Sequence, residues 1–212
     1  MLDNPGCSGK EYHLLPNGTE VVFYPEEHKY VVNGKEIPSV TTLLQEYYGN
    51  KYAAVRPEIL QAAANYGTKV HAELDRLINE RMHDPKVPTV SELTEVNNYF
   101  NFVEPIYGIE PVMTEKVVVL YGPDGSPAAA GRFDLLCKVK GRLTLADFKT
   151  TSTINRQSVS AQLNLYLTAA IQSGFIKDDE VVDLGVIHLS GNKSTYAPVQ
   201  KFADNFYLTF II

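Results

Sequence analysis

With 212 residues the chain is long enough for one sizeable core, and 44% hydrophobic with 21% charged residues is the composition of an ordinary globular protein. No run of 18 apolar residues is present, which excludes a membrane-spanning helix. The formal net charge of −6 argues against a general nucleic-acid coat protein. Distribution outweighs the sum, however: between 131 and 149, Arg132, Lys138, Lys140, Arg142 and Lys149 face only Asp134 and Asp147, a local excess of positive charge. The start, "MLDNPGCSGKEYHLLPNG", has no basic stretch followed by an apolar run, so no secretory leader is expected and the cytoplasm is the default compartment. Cys7 and Cys137 are too few for a disulfide framework or a four-cysteine iron–sulphur site, and Cys137 reads as a packed thiol within a strand.

In chain order, residues 20–37 read as a hairpin, "EVVFY" then "KYVVNGKEI", with Asn33-Gly34 as a turn. "PSVTTLLQEYY" follows as a short helix capped by Ser39. A longer helix is expected from about Pro57 to about Met82, with Ile59, Leu60, Ala63, Val70, Leu74, Leu77 and Ile78 at helical spacing. "HDPKVP" ends it, and "SELTEVNNYFNFVEPI" reads as another amphipathic helix with Ser91 and Glu95 near its start. A strand-rich centre comes next: "TEKVVVLY", a turn at "GPDGSP", "AAAGRFDLLCKV", a turn at Lys140-Gly141, and "RLTLADFK". A helix from about Arg156 to Ser173 and a final hairpin, "VVDLGVIHLS" with "STYAPVQKF", complete the order. This pattern predicts an α/β fold with a mixed central sheet flanked by helices. Residues 1–56 would form an N-terminal hairpin and short helix packed on a core of 57–212, one globular domain overall.

Counting outward from a two-residue turn at Lys140-Gly141 sets Asp134 opposite Asp147, with the Cβ atoms of such a pair about 4.5–5.5 Å apart. Alternation puts Lys149 on the face of Asp147 and Phe148 on the other. Two apposed carboxylates favour a shared proton or a bound cation, and oxygen ligands suit Mg²⁺ or Mn²⁺. A divalent ion makes water more acidic and a nearby lysine can orient or deprotonate that water, chemistry suited to phosphodiester hydrolysis. The bland reading is that each aspartate is a solvent-facing strand residue paired with a neighbouring Lys or Arg. Spacing alone leaves both open.

"GRFDLL" and "LADFKTT", with "QLNLY" about a dozen residues later, resemble the PD-(D/E)XK (restriction-endonuclease-like) nuclease superfamily, in its RecB-like, phage-type exonuclease branch. "GTKVHAEL" supplies the glycine and histidine of that branch, "TEKVVV" an upstream strand glutamate, and "IPSVTTLL" a lead-in like that of phage-type members. The literal proline of the motif is replaced here by Phe133. The resemblance implies a divalent-metal-dependent DNA nuclease, most readily an exonuclease in phage DNA processing or recombination. Its catalytic residues would be Asp134, Asp147 and Lys149. His71, Asp134, Asp147 and the Phe148 carbonyl would hold one or two Mg²⁺ or Mn²⁺ ions, with Glu115 as an additional ligand. Gln162 and Tyr166, with Arg132, would contact DNA, linear duplex or single-stranded. An iron–sulphur cluster and a membrane are not expected. A recombination partner protein and an oligomer are compatible with the resemblance. The alternatives are a structure-specific endonuclease of the same fold, or an inactive DNA-binding or assembly module.

Gly67, Leu74 and Ile78 place His71 on the packed face of its helix, where most histidines are structural. Gly67 costs about 1 kcal/mol relative to alanine, which close approach of the sheet or of nucleic acid would explain. Gln162 and Tyr166, four apart, share a helix face; the bland reading is a buried ring edge and a solvated amide. His13, His28, His83 and His188 show no partner pattern. No phosphate-loop, Gly-x-Ser-x-Gly or His-Glu-x-x-His motif competes.

Overall fold

Asn33 (φ 50°) and Gly34 (φ 77°) both take the left-handed conformation that a two-residue hairpin turn requires, joining β3 (Lys29–Val32) to β4 (Lys35–Ile37). With β1 (Glu11–Leu14) and β2 (Glu20–Tyr24) they form an antiparallel sheet in the order β1-β2-β3-β4. The expected hairpin is therefore a larger element: a second turn, at residues 25–28, makes three strands of 20–37. The structure, a computed structural model, describes residues 9–49 and 55–211; Cys7 lies outside them. Ser39 caps α1 (Val40–Tyr48) as expected, its hydroxyl accepting from the Thr42 N–H at 3.0 Å.

The second sheet has five strands in the order of the chain: β5 (Ile109–Tyr121), β6 (Pro127–Val139), β7 (Arg142–Lys149), β8 (Asp183–His188) and β9 (Thr195–Val199). All neighbours are antiparallel except β7 and β8, which run parallel. A parallel pair needs a crossover, supplied by α5 (Arg156–Gln172) with Asn155 as its cap. The mixed sheet flanked by helices is thus present, and the fold is α/β. Lys140 (φ 50°) and Gly141 (φ 81°) form the tight turn read from the sequence, and β6 and β7 pair from Val139↔Arg142 to Leu135↔Ala146 in the register it dictates.

The long helix α2 spans Pro57–His83, and its burial is confined to Val70, Leu74, Leu77 and Ile78, each contributing about 1.5–3 kcal/mol. Ile59, expected on the packed stripe, is exposed, because the sheet lies only under the second half of the helix. The next helix starts at Thr94 rather than near Ser91. Ser91 and Asn97 bond reciprocally, backbone to side-chain amide, and hold residues 91–93 as a loop. It continues as α3 (Thr94–Asn98), a π-helical turn (Tyr99–Val103) and α4 (Glu104–Tyr107). At the C-terminal side Phe206 and Phe210 of the segment carrying α6 (Leu208–Ile211) pack on the main cluster, with Phe210 against Tyr47 of α1.

What positions the site is a change of face within β5 and β6. One face of the sheet is covered throughout by α5, which meets Val118, Leu120 and Phe133 in one half, and Met113, Leu136 and Leu145 in the other. The opposite face is shared. The four-stranded sheet covers Val117, Val119 and Ala130, while α2 covers Leu135, Cys137 and Phe148. Phe133 and Leu136 facing the same helix means that alternation breaks between them. The break is at Asp134 and at Glu115 opposite, where the ladder skips from Lys116↔Phe133 to Thr114↔Leu135 and Glu115 takes φ 49°. The N-terminal part also bonds directly to the sheet, the Ala130 N–H donating to Pro38 O. Residues on either side of position 56 therefore share hydrophobic clusters.

Candidate metal centre

The break in β5 and β6 leaves two carboxylates without ladder neighbours, just where α2 passes over the sheet. His71 Nδ1 lies 3.5 Å from Asp134 Oδ1 and 3.9 Å from Glu115 Oε1. Among the described residues these three offer ligand atoms all within 4.8 Å of one another. The other Asp134 oxygen accepts the Phe148 N–H at 2.6 Å, so the carboxylate replaces a ladder bond where β6 and β7 part. Groups of one strand residue point to the same side, so the Phe148 carbonyl opens on this gap as well.

Asp147 departs from the expected ligand set. Its Oδ2 turns to Lys149 Nζ at 2.6 Å, and Lys149 also donates to Gln162 Oε1 at 3.2 Å. The first contact pairs the buried Asp147 carboxylate with the ammonium. Glu115, named from the sequence only as an additional ligand, takes the place in the cluster expected of Asp147. Continued past the last ladder pair, Leu135↔Ala146, the register sets Asp134 across from Asp147, and between Lys116↔Phe133 and Thr114↔Leu135 it sets Glu115 across from Asp134 on the other side. Counting from the "GPDGSP" turn misses it, because the pairing steps by one residue between Leu120 and Tyr121.

Burial and opposed charge set the protonation of the cluster. For Asp134, burial pushes upward, but His71, Lys149 and the Phe148 N–H hold it below the usual carboxylate range. Burial lowers the His71 pKa, yet Asp134, Asp147 and Glu115 carry it up to about 9. Glu115 is pushed to about 8 by burial and by Asp134. Asp147 rises to about 6 through burial and Asp134, against the pull of Lys149. The centre therefore holds protons where a divalent cation would place positive charge.

Tyr166 does not fit a DNA contact. Its ring is buried against Gly131, where a Cβ would meet Tyr166 Cε1 at 2.5 Å, and its hydroxyl accepts from Gln162 Nε2 at 3.4 Å. Gln162 in turn holds Lys149, so the pair acts inward, on the lysine. Arg132 lies over the Phe23 ring, is bonded to Glu11, and sits 3.9 Å from Glu115. Gly67 is explained by the approach of Thr150 Oγ1, 3.3 Å from where a Cβ would be. Cys137 is buried and its thiol is pushed up to about 12, as a packed residue.

A cleft of about 770 Å³ opens on the centre between α2 and the four-stranded sheet, reached by His71, Glu115, Arg132 and Lys149. Two of its residues were passed over. Asp75, one turn after His71, bonds Asn79 and Thr114, and i,i+4 spacing could have found it. His28, held at φ 51°, comes from the turn that was not foreseen. Of the local basic run only Arg132 and Lys149 line this cleft: Arg142 pairs with Asp183 at 2.6 Å, and Lys138 and Lys140 lie toward the far turn of the hairpin. Around the centre Glu11, Asp75, Glu115, Asp134 and Asp147 face Arg132, Lys149 and the His71 imidazole, five acids against three bases.

No family model matches the chain, and no curated protein matches it. Among solved structures, one described as the crystal structure of SSO0001 is similar over 85% of this chain and 74% of that one, at 13% identity and a TM-score of 0.46.

Proposed function

We propose that the chain is a divalent-metal-dependent deoxyribonuclease of the PD-(D/E)XK, RecB-like kind, using Mg²⁺ or Mn²⁺ and acting as an exonuclease in phage DNA processing or recombination. One observation carries the reading: residues far apart in sequence, His71, Glu115, Asp134, Asp147 and Lys149, converge where the alternation of β5 and β6 breaks. A bland pairing of each aspartate with a surface cation does not account for this, since Asp134 and Asp147 are both buried.

The donor set suits a hard cation. One imidazole nitrogen and two carboxylates lie close enough to share an ion, and the buried Asp147 carboxylate stands beside them, paired with Lys149. His71, Glu115 and Asp134 would hold the ion, which would supply Lewis-acid activation of the phosphate and of water. Lys149, held between Asp147 and Gln162, would orient the attacking water and offset charge on the phosphate. The water oxygen would bond to phosphorus as the bond to the leaving sugar oxygen breaks, the proton lost by the water passing to solvent and the leaving oxygen taking up one from solvent. Tyr166 and Gly131 keep Gln162, and through it the lysine, in position.

The test is end-labelled linear DNA with and without Mn²⁺, with Lys149→Ala as control. Ion-dependent shortening by the wild type is expected, with a loss of about 10²–10⁴-fold in the variant at unchanged folding. A wild-type chain that leaves DNA intact with either ion, or a variant as active as wild type, overturns the assignment.

A further inference from the structure

The row of site residues continues across the sheet. In the parallel ladder Asp147 lies beside Val186 and Lys149 beside His188, and on the next strand these meet Ala197 and Thr195. Partners in adjacent strands are about 4.8 Å apart and project from one face, so His188 and Thr195 extend the line of Lys149. Over this part of the sheet, between β8–β9 and the first turns of α5, lies a second cleft of about 590 Å³. Its walls are mixed. Ile154, Val186 and Ala197 are apolar, while Arg156, His188 and Thr195 bring a cation and hydrogen-bonding groups. His188 is held in place by a 2.6 Å contact of Nε2 with Thr151 O, in the segment that leaves Lys149.

Resting on the nuclease reading, we infer that this cleft is a nucleotide subsite of the same centre, which takes an unpaired base of a single-stranded nucleic acid whose neighbouring phosphate lies at Lys149. A cavity of this size and mixed polarity is of the kind that encloses a small planar ligand, with a few polar groups fixing its orientation. A base held in a duplex cannot turn out into it without unpairing, whereas a single strand reaches it at no such cost. The cation at Arg156 suits the phosphate that accompanies the base. The other cleft, with its excess of carboxylates, meets the strand through the cation centre. The second supplies contacts that need no metal.

The experiment measures binding separately from turnover. Fluorescence anisotropy with Ca²⁺ present reads the affinity of a labelled single-stranded 12-mer, and of a set in which one nucleotide in turn is abasic. For the wild type, one abasic position is expected to weaken binding about tenfold. In Ala197→Phe, which fills the cleft, the intact 12-mer should bind about tenfold more weakly and the abasic penalty should vanish. Arg156→Ala, at an exposed helix start, should weaken binding with the penalty retained. Hydrolysis of bis(4-nitrophenyl) phosphate with Mn²⁺, a phosphodiester that carries no base, reads the centre alone, and Ala197→Phe should match wild type. No abasic penalty in the wild type, or an unchanged penalty in a folded Ala197→Phe, overturns the subsite. Loss of all hydrolysis by the wild type with the binding pattern intact overturns the nuclease reading and leaves the subsite standing.

Discussion

Glu115 holds a backbone angle that non-glycine residues rarely adopt, φ 49°, with a carboxyl group that burial and Asp134 push to about 8. Both are costs to folding, of about 1–2 kcal/mol for the backbone alone. Glu115→Gly should therefore keep or raise the urea midpoint while lowering Mn²⁺ affinity at least tenfold by calorimetry. Loss of both together would mean that the residue is structural. Asp134→Ala should lose Mn²⁺ binding outright, and retained stoichiometric binding would remove the residue from the centre. Gly131→Ala drives a methyl into Tyr166 and is expected to cost about 1–3 kcal/mol, read by denaturant unfolding. Away from the centre, Glu104 is buried beside Arg81; burial raises its pKa, and the Arg81 guanidinium does not fully reverse this. A raised carboxyl pKa means more protons bound in the folded state, so its contribution is complete below the unfolded value near 4.5 and is lost as pH rises through the folded one. The stability of Glu104→Gln relative to wild type should thus improve between pH 4 and pH 7.

At the scale of elements, the exposed edge of β5 is closed by a helix end rather than by another strand. Gln172 gives and takes a hydrogen bond with the backbone of Tyr121, at 3.2 and 2.8 Å, and Ser173 Oγ accepts from the Val119 N–H at 2.9 Å. An edge treated in this way is no longer a template for pairing. Gln172→Leu leaves both Tyr121 groups unpaired and is expected to cost about 1–3 kcal/mol of unfolding free energy. Elements of this kind show what local pattern conveys. The Ser39 cap, the Pro57 start and the Lys140-Gly141 turn were legible because each depends on a few adjacent residues. The turn at residues 25–28 was not, since Pro-Glu-Glu-His carries no strong glycine or asparagine signal. The helix beginning at Thr94 was displaced for another reason: a side-chain lock between Ser91 and Asn97 competes with the helix for the same backbone.

For the whole molecule, charge decides how nucleic acid would be held. The expected basic segment is dispersed by the hairpin, and the cleft at the centre is lined by more acids than bases. Binding of DNA at the centre should therefore depend on a divalent ion: chelation should weaken affinity at least tenfold in anisotropy, where a basic channel would keep its affinity without the ion and respond to salt alone. The sequence by itself determined the mixed sheet and the β6–β7 register, because alternation and a two-residue turn are local and short in reach; spacing also singled out Asp134, Asp147 and Lys149 as candidates, and the resemblance added His71. Only the tertiary structure decided that Glu115 rather than Asp147 stands with His71 and Asp134, that Tyr166 faces inward, and that His188 extends the row of Lys149. Those placements follow from a break in alternation shared by two strands and from a parallel register fixed by helix packing, and neither is written in the residues that carry them.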